Sequence, residues 1–133
     1  MNKKIVAKQQ SIINYYLREY FVQGTKVTTL KNPIIPVERN SSLEHEIMKC
    51  SIATALLYDN HSLIINGKFK NGTIPDIVVI GISEPIIYEI CKTETEQRLT
   101  EKTKKYPFKI KCIKCYEPRK DNTVPKRTFK SRI

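Results

Sequence analysis

The apolar positions at the start of the chain recur at spacings of three and four. Ile5, Ile12, Ile13, Tyr16, Leu17, Tyr20 and Phe21 fall on one stripe, which predicts a helix over residues 3–23 with Gly24 as its C-terminal stop. Its aromatic stripe is core or a dimer interface. A short strand, Lys26 to Leu30, leads into a connector that Pro33 and Pro36 hold extended. Ser41 or Ser42 then offers an N-cap with Glu44 and Glu46 in the first turn. This predicts a second helix to about Tyr58, with Leu43, Ile47, Cys50, Ile52, Ala53, Leu56 and Leu57 as its buried side.

From His61 onward short apolar runs replace the helical spacing. His61 to Asn66, Thr73 to Ile80 and Ile86 to Cys91 read as strands, separated by turns at Gly67, at Asn71-Gly72 and over Gly81 to Pro85. A third helix follows from Thr93 or Thr95 to Lys105, stopped by Pro107, and a fourth strand runs from Phe108 to Cys115. The expected fold is a mixed α/β (α+β) domain of core order αβββαβ with an added N-terminal helix. Residues 1–40 form the helix and connector, 41–116 the core, and 117–133 a basic, proline-interrupted arm with little to bury.

Length and composition narrow the possibilities. At 133 residues and 15.5 kDa there is one domain's worth of chain, which excludes a two-domain enzyme. A hydrophobic fraction of 40% with recurrent isoleucine runs excludes wholesale disorder. No apolar run approaches the roughly 18 residues of a membrane span. Met1-Asn2-Lys3-Lys4 is basic but lacks a following secretory apolar stretch, so an intracellular location is expected, in the cytoplasm or, for a viral protein, the host cytoplasm.

The net charge of +11 is unevenly placed. Residues 1–40 hold 7 basic and 2 acidic side chains, residues 41–100 hold 5 and 8, and residues 101–133 hold 12 and 3. Acids inside a basic surround suit a protein that holds a hard cation against a phosphodiester, although an ordinary exposed helix would give the same count. The cysteines, Cys50, Cys91, Cys112 and Cys115, are too few for a disulfide scaffold. Cys112 and Cys115 have zinc-ligand spacing but lie in an alternating, glycine-free strand with no second pair, so the four are expected to be buried small hydrophobes.

Two carboxylates stand out by context. Asp76 follows Pro75 in an apolar run, and Glu89 lies between Tyr88 and Ile90 in the next. A charge in a strand buried on both faces is costly unless paired or bound to metal. Their separation spans a hairpin, which would bring both to one hard cation on adjacent strands. The competing reading has Asp76 capping a turn and Glu89 paired with a lysine on an edge strand.

Pro75-Asp76, then Glu89 followed shortly by Lys92, in the order αβββαβ, resembles the PD-(D/E)XK nuclease superfamily, over about residues 41–115. The stretch Glu44-His45-Glu46-Ile47 resembles the acidic first helix of its archaeal Holliday-junction resolvase branch. The resemblance implies a restriction-endonuclease-like domain in which Asp76 and Glu89 bind Mg²⁺ or Mn²⁺. Glu44 would add a third carboxylate, with His45 as its rival, and Lys92 would position or activate the attacking water. The family leaves one residue between Glu and Lys, whereas Ile90 and Cys91 both intervene here. Strict alternation sends Lys92 to the opposite face from Glu89. A β-bulge at Cys91, or the strand ending there, would return it; otherwise Arg98 or Lys102 of the third helix must serve, or the role is absent.

Three functions follow in order. The first is a metal-dependent endonuclease acting on DNA, with junction or branched DNA favoured and a homodimer expected because junction resolution needs two incisions. The second is a non-catalytic nucleic-acid-binding protein on a degenerate nuclease fold. The third is a small basic interaction protein docking through its first helix. In the first two, Lys68, Lys70, Arg98, Lys102, Arg119, Lys120, Lys126 and Arg127 are expected to contact phosphates.

Overall fold

The computed structural model describes residues 3–91, 101, 104–108 and 110–114. Helices α1 (Lys3–Tyr20) and α2 (Leu43–Tyr58) precede strands β1 (Ser62–Ile65), β2 (Ile77–Ile80), β3 (Ile86–Cys91) and β4 (Ile110–Lys114), giving a mixed α+β domain. The sheet runs β1-β2-β3-β4. The first three strands form an antiparallel meander, and β4 joins β3 in parallel. Among the described residues no helix is long and apolar enough to cross a membrane.

The strands alternate between two cores. Ile64, Val78, Ile80 and Ile87 meet Ile13 and Phe21 from the α1 side together with Phe69 and Tyr106. Leu63, Ile65, Ile77 and Val79 meet Ala53 and Leu57 of α2 on the other face. With both faces covered, the strands carry apolar residues at nearly every position, which is why the sequence shows runs there and little alternation. Phe21 stacks on Phe69 at 4.7 Å between ring centroids, and Tyr20 meets Phe108 edge-on at 4.7 Å. Tyr16, Leu17 and Tyr20 pack, partly buried, against this core, with Tyr15 outside it.

α1 ends at Tyr20, earlier than expected, because Phe21 leaves the helix to bridge Phe69. The expected strand at Lys26 to Leu30 is reduced to isolated bridges from Thr28 to Leu63 and from Thr29 to Asn32. β2 begins at Ile77, so Thr73 to Asp76 approaches it as irregular chain. α2 is capped by Ser42, whose side chain accepts from the His45 N–H. At its other end Asn60 turns left-handed (φ 62), with Asn60 N–H donating to the Leu57 carbonyl and His61 N–H to the Leu56 carbonyl, a Schellman stop.

The inner face of α2 differs from expectation. Leu43 is 71% exposed, Ile47 49% exposed and Cys50 exposed, while Glu46, Lys49, Ala53 and Leu57 are buried. The buried four sit at i, i+3, i+7 and i+11, one stripe of a helix turning about 100° per residue. Cys50 is therefore not a buried hydrophobe. The expected third helix lies largely outside the described residues, as do Lys92, Arg98, Lys102, Cys115 and the basic arm with Arg119, Lys120, Lys126 and Arg127.

Candidate functional site

The strand register gathers polar residues at one end of the sheet. Ile65 pairs with Ile77 and Ile77 with Tyr88, so one step further Asn66, Asp76 and Glu89 follow one another across β1, β2 and β3. Hydrogen bonds confirm the row. Asn66 N–H donates to the Asp76 carbonyl at 3.0 Å. Asp76 N–H donates to Glu89 Oε1 at 3.2 Å, and Ile90 N–H donates to Asp76 Oδ2 at 2.9 Å. Each carboxylate thus accepts a backbone hydrogen bond from the other's segment, which ties the two together.

Local geometry places the row's first member. Asn66 is left-handed (φ 55), a conformation that asparagine tolerates better than most residues, and it turns the chain out of β1. Gly67 follows because a Cβ there would collide with Ile64 Cγ2. Glu89 is 1% exposed, and its Oε1 also accepts from the Tyr106 hydroxyl at 2.8 Å. Tyr106 was not a sequence candidate.

α2 lays three side chains over this row. Lys49, 1% exposed, donates from Nζ to Glu46 Oε1 at 2.7 Å and to Asn66 Oδ1 at 3.3 Å. Glu46 Oε1 also accepts the Glu38 N–H at 2.7 Å. The His45 ring lies across two carboxylates, with Nδ1 3.0 Å from Glu46 Oε2 and Nε2 3.4 Å from Asp76 Oδ1, and Ser41 Oγ stands 2.9 Å from Nδ1. The side chains of His45 and Asp76 are the most exposed of the group and form its mouth, while Lys49 and Glu89 form its floor.

Burial would raise the pKa of Glu46. The hydrogen bonds from Lys49, the Glu38 backbone, His45 and Ser41 outweigh it and bring the pKa down to about 2, so the carboxylate is ionised at neutral pH. Glu46 and Lys49 are a buried ion pair joined by a 2.7 Å hydrogen bond.

Asp76 and Glu89 are brought together as expected. Glu44 is not part of the cluster. It is exposed, because it lies nine residues before Ala53, half a turn away from the buried stripe, and Glu46 stands where Glu44 was expected. Lys68 and Lys70 are exposed on either side of buried Phe69, and their backbones tie to Val22 and Tyr20. β3 pairs residue for residue with β4 and ends at Cys91 without a bulge, and Lys92 lies outside the described residues.

Glu46, Lys49 and Asn66 were missed as site residues. Taking Ala53 and Leu57 as inward would have selected Glu46 and Lys49 by helical phase, and the Asn66-Gly67 pair marks a strand end. Among the described residues no group of three or more His, Cys, Asp and Glu side chains is placed to hold a metal ion together. The functional reading rests on this geometry: no family model matches the chain, and neither does any curated protein or any solved structure.

Proposed function

We propose that the protein is a metal-dependent endonuclease that hydrolyses phosphodiester bonds in DNA, with junction or branched DNA as the favoured substrate. The observation that carries the reading is the pair Asp76 and Glu89, cross-bonded at the end of a sheet buried on both faces, with the Glu46–Lys49 pair set over it. The fold supports it too. Parallel neighbours need a long crossover, usually helical, and the eighteen residues between Cys91 and Ile110 fill that place in a restriction-endonuclease-like αβββαβ core.

The donor set fits Mg²⁺ or Mn²⁺, because such ions take oxygen ligands and bind through one or two carboxylates plus substrate phosphate, without a complete protein cage. Asp76 and Glu89 would hold the ion, which supplies charge neutralisation at phosphate and a more acidic water. Glu46 has its charge met by Lys49 and orients that lysine and His45. His45, lying against Asp76, must turn aside or serve as a ligand itself. Lys68, Lys70 and the basic arm supply phosphate contacts that are independent of sequence.

The test is cleavage of a four-way junction and of linear duplex by the wild-type protein and Asp76→Ala, in Mg²⁺ or Mn²⁺ and in chelator. Product from wild type alone, and only with metal, supports the reading. Sedimentation of the junction complex should show a homodimer, since resolution needs two incisions. The second reading, a nucleic-acid-binding protein on a degenerate nuclease fold, is favoured by the regular pairing of β3 through Cys91 and by the lack of a three-residue metal group among the described residues. Binding without product on any substrate selects it.

A further inference from the structure

Lys49 and Asn66 carry more hydrogen-bond donors than the described residues give them acceptors. An ammonium has three N–H groups, and only Glu46 Oε1 and Asn66 Oδ1 receive them. The second of these bonds turns the Asn66 amide oxygen toward the lysine. Its nitrogen, Nδ2, is enclosed and meets no acceptor among the described residues. Leaving an enclosed donor unsatisfied costs about 1–3 kcal/mol, so such a group calls for an acceptor oxygen, from water or from a ligand, beyond those the described residues supply.

The position of these donors narrows the ligand's chemistry. Asn66 stands beside Asp76 in the cross-strand row, and Lys49 reaches down from α2 onto it. The neighbouring Asp76 and Glu89 oxygens already accept from the backbone and from Tyr106, so an oxygen acceptor brought by a ligand would be shared by the spare donors. A phosphodiester has two non-bridging oxygens that accept, and their charge grows as a water oxygen adds to phosphorus.

We propose that Lys49 and Asn66 form a phosphoryl-oxygen subsite, in which the lysine ammonium and the asparagine Nδ2 donate to the non-bridging oxygens of the scissile phosphate. This subsite gives Lys49 the cationic role that the sequence left to Lys92, and it rests on the hydrolase reading of the same cluster. In the step it assists, the water oxygen bonds to phosphorus and the bond from phosphorus to the leaving sugar oxygen breaks. The water's proton passes to solvent, and the leaving oxygen takes one from solvent. Lys49 and Asn66 neither gain nor lose a proton.

Asn66→Asp separates this role from a structural one. Aspartate keeps an acceptor for Lys49, tolerates the left-handed backbone and replaces the Nδ2 donor with a charged acceptor, so an oxygen bound there would be lost or repelled. Single-turnover cleavage of a four-way junction by this variant should slow on the order of a hundredfold, the scale for one transition-state donor, with melting temperature and Mn²⁺ affinity no lower than wild type. Cleavage at the wild-type rate overturns the subsite and leaves the hydrolase reading standing.

The second measurement needs no variant and no turnover. In ¹⁵N-labelled wild-type protein, the Asn66 side-chain NH₂ resonance should move when uncleaved duplex is added in Ca²⁺. A stationary resonance with DNA bound overturns the subsite. A shift in a protein that cleaves nothing supports the subsite while sinking the hydrolase reading.

Discussion

The two halves of α2 obey opposite rules. In the half from Ser51 to Tyr58, Ala53 and Leu57 are buried while Thr54 and Tyr58 face solvent, as hydrophobicity demands. In the half from Leu43 to Cys50, Glu46 and Lys49 go inside while Leu43 and Ile47 stay out. The helix has a single phase, set by where Ala53 and Leu57 meet the sheet, and the N-terminal turns must follow it. Burying an ion pair costs several kcal/mol of desolvation per ion before the attraction returns it, whereas burying Leu43 and Ile47 would be favourable.

The largest effect that would break this comparison is on activity. Asp76→Ala should reduce metal-dependent cleavage by roughly a hundredfold to a thousandfold, with DNA binding in Ca²⁺ unchanged or tighter, since an uncompensated carboxylate repels phosphate. If binding is lost as well, the row at the end of the sheet is structural.

Stability comes next. Lys49→Met should cost about 3–5 kcal/mol in urea denaturation, because it strands the buried Glu46 carboxylate, whereas Glu46→Leu combined with Lys49→Met should cost much less than either change alone. In the other half, Leu57→Ala should cost about 2–5 kcal/mol as a simple cavity. Additive behaviour at Glu46 and Lys49 would show that they are not a coupled pair.

Acid should act on the polar half first. Glu46 has a pKa lowered from 4.5 to about 2, so its contribution to stability is fully present above pH 4.5 and is lost as pH falls toward 2. Unfolding followed across that window should be shallower in Glu46→Gln. An equal slope would mean that other carboxylates govern the acid limb. The smallest effect belongs to the outward apolar positions, where Leu43→Ser and Ile47→Ser should each change stability by no more than about 0.5 kcal/mol, measured by thermal melting.

Much of the frame was legible in the chain. The strand runs at Ser62–Ile65, Ile77–Ile80 and Ile86–Cys91 and the Ser42 cap of α2 all follow from local pattern, and so did the pairing of Asp76 with Glu89, because a hairpin's register carries a charge on one strand to its neighbour. Glu46 and not Glu44 turns inward, a distinction the sequence does not show because both sit in the first turn, where local preference for acids treats them alike. The buried face of α2 failed for a related reason. Apolar spacing alone favours Leu43, Ile47 and Cys50, and only the docking of Ala53 and Leu57 on the sheet rules them out.

The sequence by itself determined the order of α1, α2 and the four strands, the double-sided burial of the strands and the two charges that a buried sheet end must accommodate, because period and apolar runs are local properties. The tertiary structure decided which carboxylate of α2 turns inward, that Lys49 reaches the sheet, and that Asn66 stands beside Asp76 with a donor unmatched among the described residues. Those outcomes depend on the rotation of one helix about its axis and on a register extended one residue past each strand, and no local preference encodes either.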